Sequence, residues 1–141
     1  MKYTGYDKTA DQRMKGTERF VELCGRRWGM KNLGTLVVRQ MRNGQGMSVH
    51  ATGRAADIGY KDKATAALWA NWLVANYETL GIEELHDYAG TTKKGCEKWG
   101  RGWRCNRDGK PGWKDWTETA NGGTPGGLWL HVELTPEMAD N

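Results

Sequence analysis

The sequence predicts a single-domain fold that combines helices with short β-strands. Its 141 residues suffice for one hydrophobic core, but not for a catalytic domain with a full second module. Apolar residues recur at helical spacing in two segments, and four further segments have the β-branched or alternating pattern that is typical of strands. The 20 Gly residues and the hydrophobic content of 38% indicate many loops between these elements rather than a helical bundle.

Both helices are predicted from their ends as well as from their apolar spacing. The first begins at Thr17, a capping residue, and stops at Gly29, with apolar residues at every fourth position. The second covers residues 63–80 and follows Asp62, whose carboxylate can accept hydrogen bonds from the first turn. It ends at Gly81, because glycine readily adopts the left-handed conformation that closes a helix.

Four short segments are predicted to be strands, at residues 35–41, 55–58, 82–88 and 129–134. Between the last two lies a segment, residues 89–127, that is rich in Gly, Trp, Lys and Arg and has no helical or strand period. Long loops in compact domains are usually functional or disordered, and the tryptophans of this one argue against disorder. We therefore interpret residues 89–127 as an insertion loop that forms a lid or binding surface. The alternative is an insertion that only covers the core.

Charge and cysteine content narrow the class of protein without deciding it. The net charge of +4 would favour an anionic partner, but Lys and Arg are scattered, which predicts a basic solvated surface. Cys24, Cys96 and Cys105 form no CxxC pair, so neither a disulfide framework nor a cysteine zinc site is predicted; Cys96 and Cys105 could pair across a short loop. With no long apolar run and no apolar segment after Met1, we expect no transmembrane segment, no signal peptide and synthesis in the cytoplasm.

Residues 48–57 contain the most informative pattern in the chain, a histidine and an aspartate joined by a glycine turn. His50 and Asp57 are both residue types that bind zinc, and a turn at Gly53 can bring them together from neighbouring strand ends. A catalytic zinc has three protein ligands and an open fourth position, so such a site needs one further ligand. Taken alone, a pair of this kind is more often a coincidence or a surface ion pair.

The pattern Ser-x-His-x-x-Gly-x-Ala-x-Asp at positions 48–57 resembles the first zinc motif of the D-Ala-D-Ala carboxypeptidases and L-alanyl-D-glutamate endopeptidases. That family is grouped with lysostaphin-type peptidases and the Hedgehog signalling domain. The resemblance implies an α+β fold with a small antiparallel β-sheet and flanking helices, and a third ligand from a later strand. Residues 129–134, Trp-Leu-His-Val-Glu-Leu, are similar to that strand, and the resemblance extends over about residues 33–135. It implies a Zn2+ site with three ligands, His50, Asp57 and His131.

The chain departs from this family at the position of the catalytic base. Family members have Asp or Glu three residues before the last ligand, or His two residues before it, whereas this chain has Leu128 and Trp129. A base is needed to accept the proton of the attacking water. We predict that Glu133, on the same face of its strand as His131, replaces it; Glu133 could instead hold a ligand or be an exposed charge. His86 is the next candidate, and three further candidates lie beside it, Asp87, Glu83 and Glu84.

Two further residues are candidates for contact with substrate. Arg39, eleven residues before His50, matches the place where family members have an arginine that binds the substrate carboxylate or the developing oxyanion. Arg42 is the alternative for this role. Ser48 is predicted to contact the substrate or a ligand, or to serve only the turn.

The resemblance implies a monomeric zinc peptidase that cleaves stem or cross-link peptides of bacterial peptidoglycan. The expected setting is a phage endolysin or virion-associated hydrolase, which stays in the host cytoplasm until lysis and then acts at the cell wall. One alternative is a non-enzymatic zinc-binding module that recognises cell-wall glycan or a protein partner. Another is a nucleic-acid binder that stacks bases on Trp99, Trp103, Trp113 and Trp116, but it leaves both motifs unexplained. We therefore expect no nucleic-acid partner.

Overall fold

The computed structural model describes residues 1–41, 46–90, 99–117 and 126–141. Within these residues the fold is α+β, with four helices and a six-stranded antiparallel sheet, which confirms the predicted class. The helices are α1 Lys15–Trp28, α2 Lys63–Ala75, α3 Tyr77–Leu80 and α4 Pro136–Asp140. The strands are β1 Lys31–Gly34, β2 Ala55–Gly59, β3 Ile82–Asp87, β4 Arg101–Arg107, β5 Lys110–Asp115 and β6 Trp129–Leu134. None of the described helices is long and apolar enough to cross a membrane.

The strand order places β6 between β2 and β3. The full order is β1-β2-β6-β3-β4-β5, and both pairings of β6 are antiparallel. In the register of these pairs, His131 of β6 lies opposite Asp57 of β2 and opposite His86 of β3. Residues directly opposite each other on neighbouring strands present their side chains to the same face, about 5 Å apart. One face of the sheet therefore gathers candidate residues from three separate segments.

The other face of these strands forms the hydrophobic core. Leu130 and Val132, which flank His131 on β6, have no exposed surface, as the alternation of a strand requires. They belong to one apolar cluster with side chains of α1 and α2, among them Phe20 and Trp69. Burial of an apolar side chain of this size stabilises a fold by roughly 1.5–3 kcal/mol. The core thus fixes β6, and with it the position of His131.

The structure corrects the start of the first helix. α1 begins at Lys15, so Thr17 is not its cap but lies inside the helix and is buried. The hydroxyl of Thr17 donates a hydrogen bond to the backbone carbonyl of Gly53, at 2.7 Å. Gly29 ends the helix with φ +70°, as predicted. Thr17 therefore joins α1 to the glycine turn of the candidate motif instead of starting the helix.

The second helix is capped as predicted but is interrupted before its predicted end. The carboxylate of Asp62 accepts hydrogen bonds from the backbone N–H groups of Ala64 and Thr65, at 3.1 and 3.2 Å. Asn76 then leaves the helical conformation, with φ −114°. Residues 63–80 consequently form two helices, α2 and α3, rather than one.

The first predicted strand is wrong, because residues 35–41 form no strand of the sheet, which begins with β1. The backbone of this segment bonds instead to the turn that contains His50. The N–H of Val37 donates to the carbonyl of His50, at 3.3 Å, and the carbonyl of Arg39 accepts from the N–H of Ser48, at 3.0 Å. The β-branched composition of residues 35–41 therefore reflects an extended segment whose backbone is bonded to the turn that contains His50.

The segment predicted as an insertion loop, residues 89–127, contributes two strands to the sheet. β4 pairs with β3 and β5 pairs with β4, so the described part of this segment extends the sheet by a hairpin. Trp103 lies opposite Trp113 in this hairpin, and the guanidinium of Arg101 lies 3.5 Å from the centroid of the Trp113 ring. Residues 91–98 and 118–125, and with them the suggested pairing of Cys96 with Cys105, lie outside the described residues.

Candidate metal centre

His50 is held by a short turn that the motif itself encodes. Ser48 precedes the 3-10 turn Val49–Thr52, and its hydroxyl accepts a hydrogen bond from the N–H of His50, at 3.2 Å. Gly53 ends the turn with φ +74°, a left-handed conformation that glycine adopts without strain. A Cβ at Gly53 would lie 2.7 Å from Cγ of Met14, so a larger residue would force the Met14 side chain to shift. The glycine therefore allows the chain to pass from His50 directly into β2.

Three donor atoms converge on one point at the face of the sheet. Nε2 of His50 lies 3.1 Å from Oδ1 of Asp57. Nδ1 of His131 lies 3.0 Å from the same oxygen and 3.1 Å from Nε2 of His50. This group could hold a metal ion, and it is the one such group found among the described residues. The structure thus brings together all three predicted ligands, one from the turn, one from β2 and one from β6.

The outer nitrogen of each imidazole has a hydrogen-bond acceptor, which sets the tautomer. Nδ1 of His50 lies 2.8 Å from the carbonyl oxygen of Thr35, so in the neutral ring this nitrogen carries the hydrogen and Nε2 presents its lone pair. Nε2 of His131 lies 2.9 Å from Oε1 of Glu133, so in a neutral His131 ring the hydrogen is on Nε2 and Nδ1 presents the lone pair. Histidines that bind metals almost always have such a partner on the other nitrogen. Both lone pairs therefore face the shared point.

The charges around this point favour a cation. Burial opposes a charge on His131, but hydrogen bonds to Asp57 and Glu133 raise its pKa to about 10. Burial likewise opposes ionisation of Asp57, yet hydrogen bonds from His131 and His50 hold the pKa of Asp57 well below its usual range. The two carboxylates on either side of His131 thus require a positive charge close by. A metal cation satisfies this requirement while both imidazoles stay neutral.

The candidate metal centre lies in a cavity of about 340 Å³. The cavity is lined by the three predicted ligands, the two leading candidates for the base and the two leading candidates for substrate contact, namely Arg39, Ser48, His50, Asp57, His86, His131 and Glu133. Arg104, Arg107 and Lys114, from the β4–β5 hairpin, line it as well. The described part of the predicted insertion therefore forms one cationic wall of the site.

His86 lies beside the metal centre and has its own carboxylate partner. Its ring stacks on that of His131, with centroids 4.8 Å apart and an interplanar angle of 24°. Nε2 of His86 contacts Oε1 of Glu84, whose other oxygen accepts a hydrogen bond from Nε of Arg104, at 2.5 Å. Nδ1 of His86 lies 3.5 Å from the hydroxyl of Tyr88. Glu84 therefore fixes one nitrogen of His86 and leaves the other beside a neutral hydroxyl.

The remaining candidates for the base on β3, Glu83, Glu84 and Asp87, lie in different surroundings. Glu83 and Glu84 are both buried, and the register of β3 with β6 shifts between Ile82 and Glu84. Glu84 lines the cavity, whereas Glu83 accepts hydrogen bonds from the N–H and hydroxyl of Thr4, at 2.8 and 2.5 Å. Asp87 is buried outside the cavity lining, with its carboxylate 3.6 Å from Nε of Arg101.

Both carboxylate oxygens of Glu133 are engaged in hydrogen bonds. Oε1 accepts from Nε2 of His131, and Oε2 accepts from the hydroxyl of Tyr3, at 3.0 Å. The side chain is buried, and it contacts the edge of the His131 ring that is opposite to the shared point. This is the arrangement of a carboxylate that holds a metal ligand in place, which was the alternative to its role as a base.

The two leading candidates for substrate contact, Arg39 and Ser48, both line the cavity. Arg39 is half-buried, and its guanidinium donates to the carbonyl of Gln40, at 3.3 Å. The alternative arginine, Arg42, lies outside the described residues. The hydroxyl of Ser48 already accepts from the N–H of His50, which accounts for its place in the motif by turn chemistry.

Sequence reasoning missed the aromatic part of the cavity wall. The ring of Tyr88 lies 4.2 Å from that of Trp129 and 5.5 Å from that of Trp116, measured between centroids. Trp116 also meets the ring of His86 edge-on, at 4.8 Å. The density of tryptophan in residues 89–127 was a usable signal for Trp116, but no local pattern marks Tyr3 as a cavity residue.

Comparisons with protein-family models, with curated proteins and with solved structures find no match for this chain. A function for the cavity therefore has to be inferred from its own geometry and from the two sequence motifs. The resemblance of residues 48–57 to a zinc motif stays a prediction on this basis.

Proposed function

We propose that this protein is a zinc-dependent peptidase that cleaves stem or cross-link peptides of bacterial peptidoglycan. The observation that carries the proposal is the convergence of Nε2 of His50, Oδ1 of Asp57 and Nδ1 of His131 at 3.0–3.1 Å from one another. Three protein ligands with an adjoining cavity are typical of a catalytic zinc site, whereas structural zinc sites have four protein ligands.

The donor set fits zinc in chemistry and in size. Zinc binds imidazole nitrogen and carboxylate oxygen at about 2.0–2.2 Å, and two ligands of a tetrahedral site at that distance lie about 3.3 Å apart. The separations of 3.0–3.1 Å between the donors of His50, Asp57 and His131 are close to this value. Two neutral imidazoles and one carboxylate also leave a net positive charge on a bound zinc ion, which suits the activation of an oxygen atom.

Zinc at this point would supply Lewis-acid activation of a peptide carbonyl and of a water molecule. The residues of the chain then account for proton transfer and for orientation. We propose His86 as the base rather than Glu133, because both oxygens of Glu133 are already occupied by His131 and Tyr3. Nδ1 of His86 would take up a proton from the attacking water and return it to the leaving amine. Glu84 fixes Nε2 and compensates the positive charge that develops on the ring in between.

The charges of the cavity suit an anionic peptide. Arg39 on one side, and Arg107 and Lys114 on the hairpin side, are cationic groups that line the cavity around the metal centre. Stem peptides of peptidoglycan contain free carboxylates, and a guanidinium donates two parallel hydrogen bonds to such a group. Arg39 in this role binds the substrate carboxylate or the oxyanion that develops at the scissile carbonyl.

The proposed setting is that of a phage endolysin or a virion-associated hydrolase, active as a monomer. Such a protein is held in the host cytoplasm until lysis and then acts at the cell wall. A formal net charge of +4 favours its association with the anionic polymers of the wall.

The second candidate function is a zinc-binding module without catalytic activity, which recognises cell-wall glycan or a protein partner. Leu128 and Trp129 favour it, because they occupy the positions where the resembling family has its base. The aromatic wall formed by Tyr88, Trp116 and Trp129 would suit the face of a sugar ring equally well.

The test is digestion of purified peptidoglycan with wild type, Asp57→Asn and the control Asp11→Asn, which alters an exposed carboxylate. New amino groups and fragment masses would be followed, and zinc content would be measured on each sample. We expect wild type and Asp11→Asn to bind one zinc ion and release peptide fragments, and Asp57→Asn to lose both properties. Stoichiometric zinc binding by wild type without cleavage of any wall bond would support the non-catalytic module instead.

A further inference from the structure

We propose that Tyr3 is a positioning residue of the metal centre, which acts by holding Glu133 against His131. Tyr3 belongs to the strap, defined as residues 3–10, which no motif of the sequence had connected with the site. The inference rests on the proposed zinc centre, but not on the identity of the substrate or on the catalytic base.

Two hydrogen bonds in series connect Tyr3 to the ligand. The hydroxyl of Tyr3 donates to Oε2 of Glu133 at 3.0 Å, although the two residues lie 130 positions apart in the sequence. Oε1 of Glu133 accepts from Nε2 of His131 at 2.9 Å, and the opposite nitrogen of that ring faces the shared point. An acceptor on the outer nitrogen orients the ring and raises its basicity towards the metal. Whatever fixes the carboxylate therefore fixes the ligand.

Glu133 needs a second partner because of its surroundings. It is buried, and its cross-strand neighbour on β3 is Glu84, another buried carboxylate. Arg104, which also interacts electrostatically with Glu133, directs its Nε to Glu84. Without Tyr3, the second oxygen of Glu133 would have no donor from the strap, and a buried carboxylate oxygen without a partner is costly. Burial and the charges of Glu133 and Glu84 raise the pKa of Tyr3, so its hydroxyl stays protonated and able to donate.

Tyr3 is itself held from several sides, which makes it a fixed donor. The guanidinium of Arg104 lies 4.0 Å from the centroid of its ring. The next residue, Thr4, donates both its N–H and its hydroxyl to Glu83. Gly5 follows with φ +65°, and its carbonyl accepts a hydrogen bond from Arg54. At the other end of the strap, the N–H of Ala10 donates to the carbonyl of Ala51, in the turn that contains His50, at 2.8 Å.

The strap therefore contacts the surroundings of two of the three proposed ligands, His131 and His50. Its beginning bonds to the partner of His131, and its end bonds to the turn of His50. These two ligands come from distant parts of the chain, so their separation depends on the packing around them. A segment attached at both points limits how far they can move apart when a metal ion binds or leaves.

The experiment measures zinc affinity, by competition with a chromophoric chelator, for wild type, Tyr3→Phe, Glu133→Gln and the double variant. Tyr3→Phe retains the ring and its contact with Arg104 and removes only the hydroxyl. The control is Tyr6→Phe, which removes a hydroxyl of the same strap that bonds to Thr9 at an exposed site. The thermal stability of each metal-free protein is measured in parallel.

We expect Glu133→Gln to weaken zinc binding by roughly 10–100-fold, the range seen for outer partners of metal ligands, and Tyr3→Phe by about 10-fold. Tyr6→Phe should bind zinc as wild type does. In the Glu133→Gln background the Tyr3→Phe change should have no further effect, because Tyr3 acts through Glu133.

Two results would overturn the inference while leaving the zinc centre intact. One is a Tyr3→Phe variant that binds zinc as tightly as wild type but melts earlier, which would make the hydroxyl purely structural. The other is an equal loss of affinity from Tyr3→Phe with and without Glu133→Gln. Failure of wild type to bind zinc would instead reject the proposed zinc centre, and this inference with it.

Discussion

Replacement of Glu84 by Gln should destabilise the protein at neutral pH, by about 3 kcal/mol. Glu84 is buried between His86 and the guanidinium of Arg104, and Gln keeps its shape but removes its charge. Removal of one partner from a buried ion pair costs about 3–5 kcal/mol. The side chains of Arg104 and His86 are 38% and 24% exposed, so water can solvate both once the carboxylate is lost. The expected loss therefore lies at the lower end of this range.

The loss of stability caused by Glu84→Gln should also depend on pH and become smaller in acid. Although burial opposes its ionisation, the charges of His86 and Arg104 lower the pKa of Glu84 from 4.5 to about 2. A carboxylate whose pKa is lowered on folding stabilises the fold above its unfolded value, and this contribution is lost as the pH falls through its folded value. The difference in stability between wild type and Glu84→Gln should consequently shrink as the pH decreases from 5 towards 2.

The assay is urea denaturation of the metal-free protein at pH 7 and at pH 2.5. The control is Glu22→Gln, which breaks a 3.9 Å ion pair with Arg26 whose side chains are 65% and 72% exposed. An exposed pair of this kind contributes about 0–1 kcal/mol. The reasoning is refuted if Glu84→Gln is no less stable than Glu22→Gln at pH 7, or if its deficit is as large at pH 2.5 as at pH 7.

Three further predictions concern the metal centre. His86→Gln should reduce the rate of peptide release by about 100-fold or more while zinc content stays at the wild-type level, and unchanged activity would exclude His86 as the base. Gly53→Ala should lower the free energy of unfolding by more than Gly29→Ala does. Both glycines have positive φ, but only the Cβ at Gly53 would clash, at 2.7 Å from Cγ of Met14. Equal losses for the two variants would contradict this reasoning. Removal of zinc by a chelator should lower Tm, and zinc at about 100 times its Kd should restore about 2.7 kcal/mol. Asp57→Asn should show no such response to the chelator, and a full response would exclude Asp57 as a ligand.

The parts of the site that could be predicted are those that leave a local pattern. The turn at Gly53 and the alternation of β6 each depend on residues close together in the sequence, and the resemblance of these segments to zinc-peptidase motifs led to His50, Asp57 and His131. The capped α2 is predictable for the same reason, since Asp62 bonds to its own first turn. The α+β class follows from the presence of both kinds of pattern.

The parts that could not be predicted depend on contacts between distant segments. Residues 35–41 have the composition of a strand, but their backbone bonds to the turn of His50 rather than to a neighbouring strand. The hairpin of β4 and β5 was missed because β5 contains Pro111 and β4 contains Gly102, residue types that are depleted in strands. That glycine has a packing reason, since a Cβ there would lie 2.9 Å from the ring of Trp116. Tyr3 reaches Glu133 only after the whole chain has folded, so no local signal marks it.

The sheet order bears on the proposal that the base comes from β3 rather than from β6. A residue two positions before His131 lies about 6.6 Å away along the strand, because each residue advances the chain by about 3.3 Å. That position is Trp129, which packs against Tyr88, with centroids 4.2 Å apart. The residue opposite His131 on β3 is His86, and cross-strand neighbours are only about 5 Å apart. A side chain at position 86 is therefore at least as close to His131 as one at position 129, and this geometry is the ground on which we propose His86 as the base in place of Leu128 and Trp129.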